Sequence, residues 1–158
     1  MHNIMGQLFS VREFRCEDAV EIVRLHKESE QFFEEMDIDE EFILNLARRA
    51  DFRFFVASID CRIAGFCGVL FFPNVGRAEI GPIAVDVRCR NRDVATQLFA
   101  ETTRFLKENG VRRLIARVKA DNSNAESFFL RMGFEKEGFF RQYTKKGEDV
   151  TQYVKFME

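Results

Sequence analysis

Apolar and polar residues alternate from Phe9 to Phe14, and after Arg15-Cys16-Glu17-Asp18 the period lengthens, with Ala19, Ile22, Val23 and His26 recurring at helical spacing. Period two marks a strand and period three to four a helix, so the chain opens strand then helix. An acidic, interrupted stretch from Glu28 to Glu41 precedes a second predicted helix over Asp39 to Arg49, with Phe42, Ile43, Leu46 and Ala47 on one face. Arg53 to Ile59, Arg62 to Phe72 and Arg77 to Val85 read as strands, the first two meeting in a hairpin at Asp60-Cys61. Val94, Leu98, Phe99, Thr102 and Phe105 predict a helix over Val94 to Glu108, closed by Asn109-Gly110, where glycine accepts the positive φ of a helix end. Arg113 to Val118 is a fifth strand and Asn124 to Met132 a short helix stopped at Gly133. Phe139 to Thr144 and Val150 to Phe156 predict a terminal hairpin about Lys146-Gly147-Glu148.

The resulting order, β-α-α-β-β-β-α-β-α-β-β, predicts an α/β fold: one mixed sheet of about seven strands with helices on both faces. No repeat or linker divides the chain, so a single domain over residues 1–158 is expected. Its 158 residues and 46 % hydrophobic content suffice for one core. Nineteen phenylalanines against two tyrosines and no tryptophan predict that large apolar rings build it.

Charge narrows the function. With 24 Lys and Arg against 26 Asp and Glu, the net charge of −2 argues against a general nucleic-acid binder, which needs a basic surface. No run approaches the roughly 18 to 20 apolar residues of a membrane span, and Met1 to Ser10 lacks the charged head and apolar core of a signal peptide. A cytoplasmic protein without a membrane partner is expected. Cys16, Cys61, Cys67 and Cys89 form no C-x-x-C pair, and only His2 and His26 could join them as imidazole ligands, so no metal site is expected. Cys67 falls on an alternating core position. Cys89 sits among arginines that would favour its thiolate, or is an incidental loop residue.

The chemistry concentrates between Glu79 and Ala95. A strand with one carboxylate, Glu79, and a break at Gly81-Pro82 runs into a loop with Arg88, Arg90 and Arg92, then into the free N–H groups of a helix start. Proline cannot donate to a ladder and glycine weakens one, so this fourth predicted strand should bulge or part from a neighbour there. A diphosphate at Asn91 to Thr96 would meet unpaired donors, the positive end of the helix dipole and guanidinium groups.

Three pieces make the chain resemble the GNAT superfamily, the Gcn5-related N-acetyltransferases. They are Val85-Asp86 closing the strand, Arg90-Asn91-Arg92-Asp93-Val94-Ala95 in place of the family's Q/R-x-x-G-x-G/A, and Asn122-x-x-Ala125 followed by Phe128-Phe129 and Gly133-Phe134. The resemblance implies a mostly antiparallel sheet, acetyl-CoA as cofactor and an amine as acceptor, acetylated by direct attack. It implies that Arg90, Asn91, Arg92, Asp93, Val94, Ala95 and Thr96 hold the diphosphate, and that the pantetheine arm pairs with Ile83, Ala84 and Val85, as an added strand would. The Val85 N–H then meets the thioester carbonyl. Asn122 or Asn124 would help hold the cofactor, with Phe129 near the pantetheine; either asparagine could instead only cap its helix. Glu79, eleven residues before Arg90, stands where several branches place a general base, although a lone strand carboxylate also suits an ion pair or a solvated face.

Two positions depart from the family. Asp93 replaces a glycine; aspartate tolerates positive φ and caps helices, but its charge beside a diphosphate would cost about 1 kcal/mol. Phe129 replaces a tyrosine that often protonates the leaving thiolate. A thiol's pKa near 8.5 makes that proton worth at most roughly 2 kcal/mol at neutral pH, and Tyr143, Ser127 or water are the candidate substitutes. A lysine acceptor costs roughly 4 to 5 kcal/mol to deprotonate at pH 7, an α-amine only about 1, so a weak acid-base set suits a peptide N-terminus or another low-pKa amine. The acidic Glu28 to Glu41 stretch could attract a cationic acceptor, a polyamine or basic peptide. The alternative is a catalytically silent module of the same fold that binds acyl-CoA or a protein partner. Strand edges and the terminal hairpin leave room for a homodimer.

Overall fold

The structure, a computed structural model, describes residues 2–4, 7–35, 37–60, 62–90 and 93–158. Its strands are β1 (His2–Ile4), β2 (Gln7–Glu13), β3 (Phe52–Ile59), β4 (Arg62–Phe72), β5 (Arg77–Val85), β6 (Arg113–Lys119), β7 (Glu135–Phe140) and β8 (Val150–Phe156). Its helices are α1 (Ala19–Glu28), α2 (Glu40–Ala47), α3 (Val94–Glu108) and α4 (Ser123–Arg131). One sheet holds all strands in the order β1-β2-β3-β4-β5-β6-β8-β7, antiparallel throughout except for β5 beside β6. The mixed, mostly antiparallel sheet is as expected, with one strand more, the short β1; the fourth predicted strand is therefore β5.

The two faces carry separate cores. On one, Leu98, Phe99 and Leu106 of α3 and Phe129 of α4 pack on Phe55, Cys67, Val69 and Leu114. On the other, Ile22 and Leu25 of α1 and Ile43 of α2 cover Phe54, Val56 and Phe66. β3 and β4 are therefore apolar on both sides, which is why they read as near-continuous hydrophobic runs. Cys67 is fully buried as expected, and burial pushes its thiol up to about 12. Gly65 fits α3 against this core: a Cβ there would lie 2.9 Å from the Ala84 carbonyl and 3.1 Å from Val94.

The terminal hairpin is corrected. Its first strand is Glu135–Phe140, not Phe139 to Thr144; residues 141–149 form a connector closed by Tyr143 N–H to the Glu148 carbonyl at 2.8 Å and Thr144 Oγ1 to Glu148 Oε1 at 2.9 Å. β7 is an edge strand rich in charge at Glu135-Lys136-Glu137, so its alternation is weak, as edges that avoid pairing with other chains commonly are. The Asp60 half of the predicted hairpin turn has φ of 46°; Cys61 and the loop residues Asn91 and Arg92 lie outside the described residues.

What positions the site is the junction of β5 and β6. On β4, Gly68 alone faces both Gly81 and Pro82, because Cys67 pairs with Ile83 and Val69 with Ile80. This is the expected bulge. Pairing of β5 with β6 spans only Arg77–Glu79 against Arg113–Ile115, after which β6 follows β8 alone as far as Lys119. Two strands that begin as neighbours end as the walls of a cleft.

His26, 2 % exposed on α1, stacks on Phe33 with ring centroids 4.3 Å apart. Burial pushes its pKa below the ordinary value near 6.5, with Glu30 and Glu35 opposing. The unfolded chain takes the proton more readily, so the stability His26 contributes is fully present above pH 6.5 and is lost as pH falls through the folded value. His26→Phe keeps the stack and removes the titration. The drop in melting temperature from about pH 7 to about pH 5 should be smaller in this variant than in wild type, and an equal drop would refute the assignment.

Candidate functional site

The parting of β5 and β6 opens a cavity of about 1150 Å³ that runs through the sheet. Ile83, Ala84 and Val85 form its β5 wall, and Asp93, Val94, Ala95 and Thr96 of the α3 start close one end. Asn122, Asn124 and Phe129 line it from the α4 side, and Glu79 and Arg90 also face it. Every described residue that the resemblance implies as base or cofactor contact thus lines one space. Phe32, Phe33, Glu34 and Glu35, from the segment between α1 and α2, line it as well.

Backbone geometry equips the β5 wall. The Asp86 N–H donates to the Ala64 carbonyl of β4 at 2.8 Å. In an antiparallel ladder successive residues face opposite neighbours, so the amides of Val85 and Ile83 turn toward the opening and those of Ala84 toward β4. Ala84 offers the cavity its side-chain surface, not strand donors.

At the α3 start Asp93 has φ 65° and ψ 4°, the left-handed conformation expected of a glycine substitute. The expected side-chain cap is absent: its carboxylate accepts no capping hydrogen bond. The Gln97 N–H reaches the Asp93 carbonyl at 2.9 Å, and the N–H groups of Val94, Ala95 and Thr96 precede that first intrahelical bond. They are donors beside the cavity.

The three arginines do not act alike. Arg88 is committed to Asp86, with Nε 3.1 Å from Oδ1 and Nη2 2.8 Å from Oδ2, and does not line the cavity. Hydrogen bonds and charge from Arg88, helped by Arg24 at 3.3 Å, hold the Asp86 carboxyl well below the usual carboxylate range against the effect of burial. Asp86 is 2 % exposed, so a buried carboxylate beside a loop of arginines captures one of them. Arg90 does reach the cavity: its Nε donates to the Val85 carbonyl at 3.2 Å and its Nη2 to Ser29 Oγ at 3.0 Å.

Glu79 is the last residue of β5 that pairs with β6, opposite Ile115. Its Oε2 lies 3.6 Å from Arg117 Nη1, while Arg117 Nε donates to Gln152 Oε1 at 3.1 Å. The carboxylate therefore lines the cavity and makes the ion pair that was one of its expected settings. Nearby, burial and then Glu35 push the Glu34 carboxyl up.

The two asparagines sit differently. Asn122 caps α4, its Oδ1 accepting the Ala125 N–H at 3.2 Å, whereas Asn124 is exposed in the first turn. Phe129 is 4 % exposed, its ring 5.0 Å from Phe134 and 5.3 Å from Phe128. Of the proposed proton donors Ser127 lines the cavity and Tyr143 does not; Tyr153 also lies outside the lining, its hydroxyl donating to Glu126 Oε2 at 2.6 Å. Among the described residues no group of three or more His, Cys, Asp or Glu side chains could hold a metal ion, and no helix is long and apolar enough to cross a membrane.

Comparison with known proteins agrees with this geometry. The model of the Acetyltransferase (GNAT) family matches residues 19–134. An uncharacterized N-acetyltransferase of Methanocaldococcus jannaschii is 27 % identical over 103 residues, 65 % of this chain and 65 % of its own length. N-alpha-acetyltransferase 30 of Schizosaccharomyces pombe is 27 % identical over 78 residues, 49 % of this chain and 52 % of its own. The chain thus spans between half and two thirds of these relatives. The crystal structure of Ard1 from Thermoplasma volcanium superposes with a TM-score of 0.84 over 95 % of this chain and 98 % of that one; at 21 % identity the likeness is one of fold.

The conformation of Asp93 yields a stability test. Alanine at φ 65° lacks the local compensation available to aspartate, and the left-handed region costs such a residue roughly 1 kcal/mol. Asp93→Ala should therefore unfold at lower denaturant than Asp93→Gly by about that amount, and equal midpoints would show that the left-handed turn is not kept.

Proposed function

The chain belongs to the GNAT acetyltransferase family, and we propose that it transfers the acetyl group of acetyl-CoA to an amine, most fittingly the α-amine of a peptide. One observation carries this reading: the described residues among those that the resemblance implies, scattered from Glu79 to Phe129, line a single cavity at the place where β5 and β6 part.

The residues divide the work along the cavity. The N–H groups of Val94, Ala95 and Thr96, with Arg90, suit a diphosphate. The strand groups of Ile83 and the N–H of Val85, which face the opening, suit the amides of a pantetheine arm; the Val85 carbonyl already accepts from Arg90. The Val85 N–H is then the donor for the thioester oxygen as charge develops on it. Phe129 supplies an apolar wall, Asn122 holds the start of α4 in place and Asn124 is a surface contact. Glu79 takes the amine proton, directly or through a water, while the nitrogen lone pair attacks the acetyl carbon and the carbon–sulfur bond breaks.

No tyrosine lines the cavity to protonate the leaving sulfur, so it departs as thiolate or takes a proton from Ser127 or water. A site with this modest acid-base equipment favours an acceptor that is cheap to deprotonate. An α-amine, at about 1 kcal/mol near neutral pH, meets that condition better than a lysine side chain. The name of the Schizosaccharomyces pombe relative, N-alpha-acetyltransferase 30, supports the same choice. Glu34 and Glu35 at the mouth attract the cationic form of the acceptor.

Calorimetric titration with acetyl-CoA and with CoA tests the cofactor half. Wild type should bind both, Arg90→Ala should bind about tenfold more weakly, and Asp93→Gly should bind about fivefold more tightly as roughly 1 kcal/mol of repulsion is removed. Absence of binding by wild type would move the assignment to a silent module of this fold. The catalytic half rests on Glu79→Gln, which should keep cofactor affinity and lower kcat/KM on peptide N-termini by about 10² to 10⁴. An unchanged rate and pH profile would remove Glu79 from the mechanism.

A further inference from the structure

The segment from Ser29 to Phe33 links α1 to the stretch that leads into α2, and it is held from both sides of the cleft. On the β5 side, Arg90 Nη2 donates to Ser29 Oγ at 3.0 Å. On the β6 side, Lys119, the last residue of its strand, donates from Nζ to the Gln31 carbonyl at 2.8 Å. The partners stand 61 and 88 residues apart in the chain, so neither contact follows from local folding. Together they strap one short segment across the opening, with Phe32, Phe33, Glu34 and Glu35 following at the cavity mouth.

Lys119 is 6 % exposed, an unusual state for a lysine, and an ammonium so placed is tolerated only where it is paired. Its second partner is Glu148 Oε2 at 3.2 Å, in the connector between β7 and β8. That connector is itself closed by Thr144 and Glu148. The ammonium thus stands on a fixed base and points its remaining hydrogen-bonding capacity at a carbonyl of the strap. If its role were only to stitch strands, its partners would lie within the sheet; Gln31 lies outside it.

The two clamps differ in one respect. Arg90 is the guanidinium beside the proposed diphosphate cradle, and a bound dianion competes with Ser29 Oγ for it. Lys119 also lines the cavity, but on its β6 side, away from the α3 start, and it is anchored there to Glu148. We propose that Lys119 is a positioning residue for the acceptor side: through the Gln31 carbonyl it keeps Phe32 to Glu35 in place, including when Arg90 is engaged by the cofactor. This rests on the acetyl-transfer reading for its meaning, while the clamp itself can be measured without it.

The strap contains its own reporters, the Phe32 N–H bonded to the Ser29 carbonyl at 2.9 Å and the Phe33 N–H bonded to the Glu30 carbonyl at 3.1 Å. Amide hydrogen exchange of the full chain, with and without CoA, reads them directly. Lys119→Met should speed exchange of these two amides about tenfold while leaving the amides of β6 and β8 unchanged. Lys119→Arg, which keeps a cationic donor, should restore protection. CoA should speed strap exchange further in Lys119→Met but not in wild type.

Unchanged exchange at Phe32 and Phe33 in Lys119→Met would overturn the proposal. So would an equal rise across β6 and β8, because it would make Lys119 a general support of the sheet. If wild type binds no CoA by calorimetry, the cofactor reading fails, whereas the comparison of ligand-free wild type with Lys119→Met still decides the clamp.

Discussion

The constraint on which the rest of the structure depends is the early end of the β5–β6 ladder. Gly81 and Pro82 together oppose the single residue Gly68 on β4, and a proline can donate to neither neighbour. β5 is thereby turned out of register with β6 immediately after Glu79, while β6 stays bound to β8 along its full length. A continuous ladder would have used the backbone groups of Ile83 and Val85 internally. Their release, the cavity between the strands and the place of Glu79 at its rim all follow from that one irregularity.

Much of this was legible in the chain. The bounds of β4, β5 and α3 coincide with the predicted Arg62 to Phe72, Arg77 to Val85 and Val94 to Glu108, because those runs are long, strongly periodic and bounded by turn residues. β7 and the short β1 are edge elements, and β7 is dominated by charge, so a hydrophobic period is a poor guide there. Glu79, Arg90 and the start of α3 were visible as chemistry at fixed spacing. The fate of Arg88 was open to inference too: Asp86 lies two residues before it, where a short carboxylate can take both the backbone and the side chain of its neighbour. Ser29 and Lys119 gave no local signal at all. Their partners come from across the fold, and only the closed sheet brings them together.

Asp93 separates two demands that glycine usually meets at once. The turn into α3 needs a left-handed residue, and aspartate supplies it at φ 65°. The cradle needs low negative charge, and aspartate works against that. With Arg88 tied to Asp86, the described part of the loop leaves Arg90 as the arginine facing the cavity, so the electrostatics here rest more on backbone N–H groups than a count of three arginines suggests. Helix and strand amides are fixed donors that need no reorganisation, which suits them to this burden.

The β5–β6 ladder also has a mechanical meaning. Three residue pairs join β1 through β5 to the β6-β8-β7 leaf, against seven pairs between β6 and β8. A sheet so joined has a natural line of fracture, and load applied across it concentrates on those few rungs. Any molecule lying lengthwise in the opening acts as mortar in that seam, bonded to both leaves, and would add to the few rungs and the shared core that hold them together.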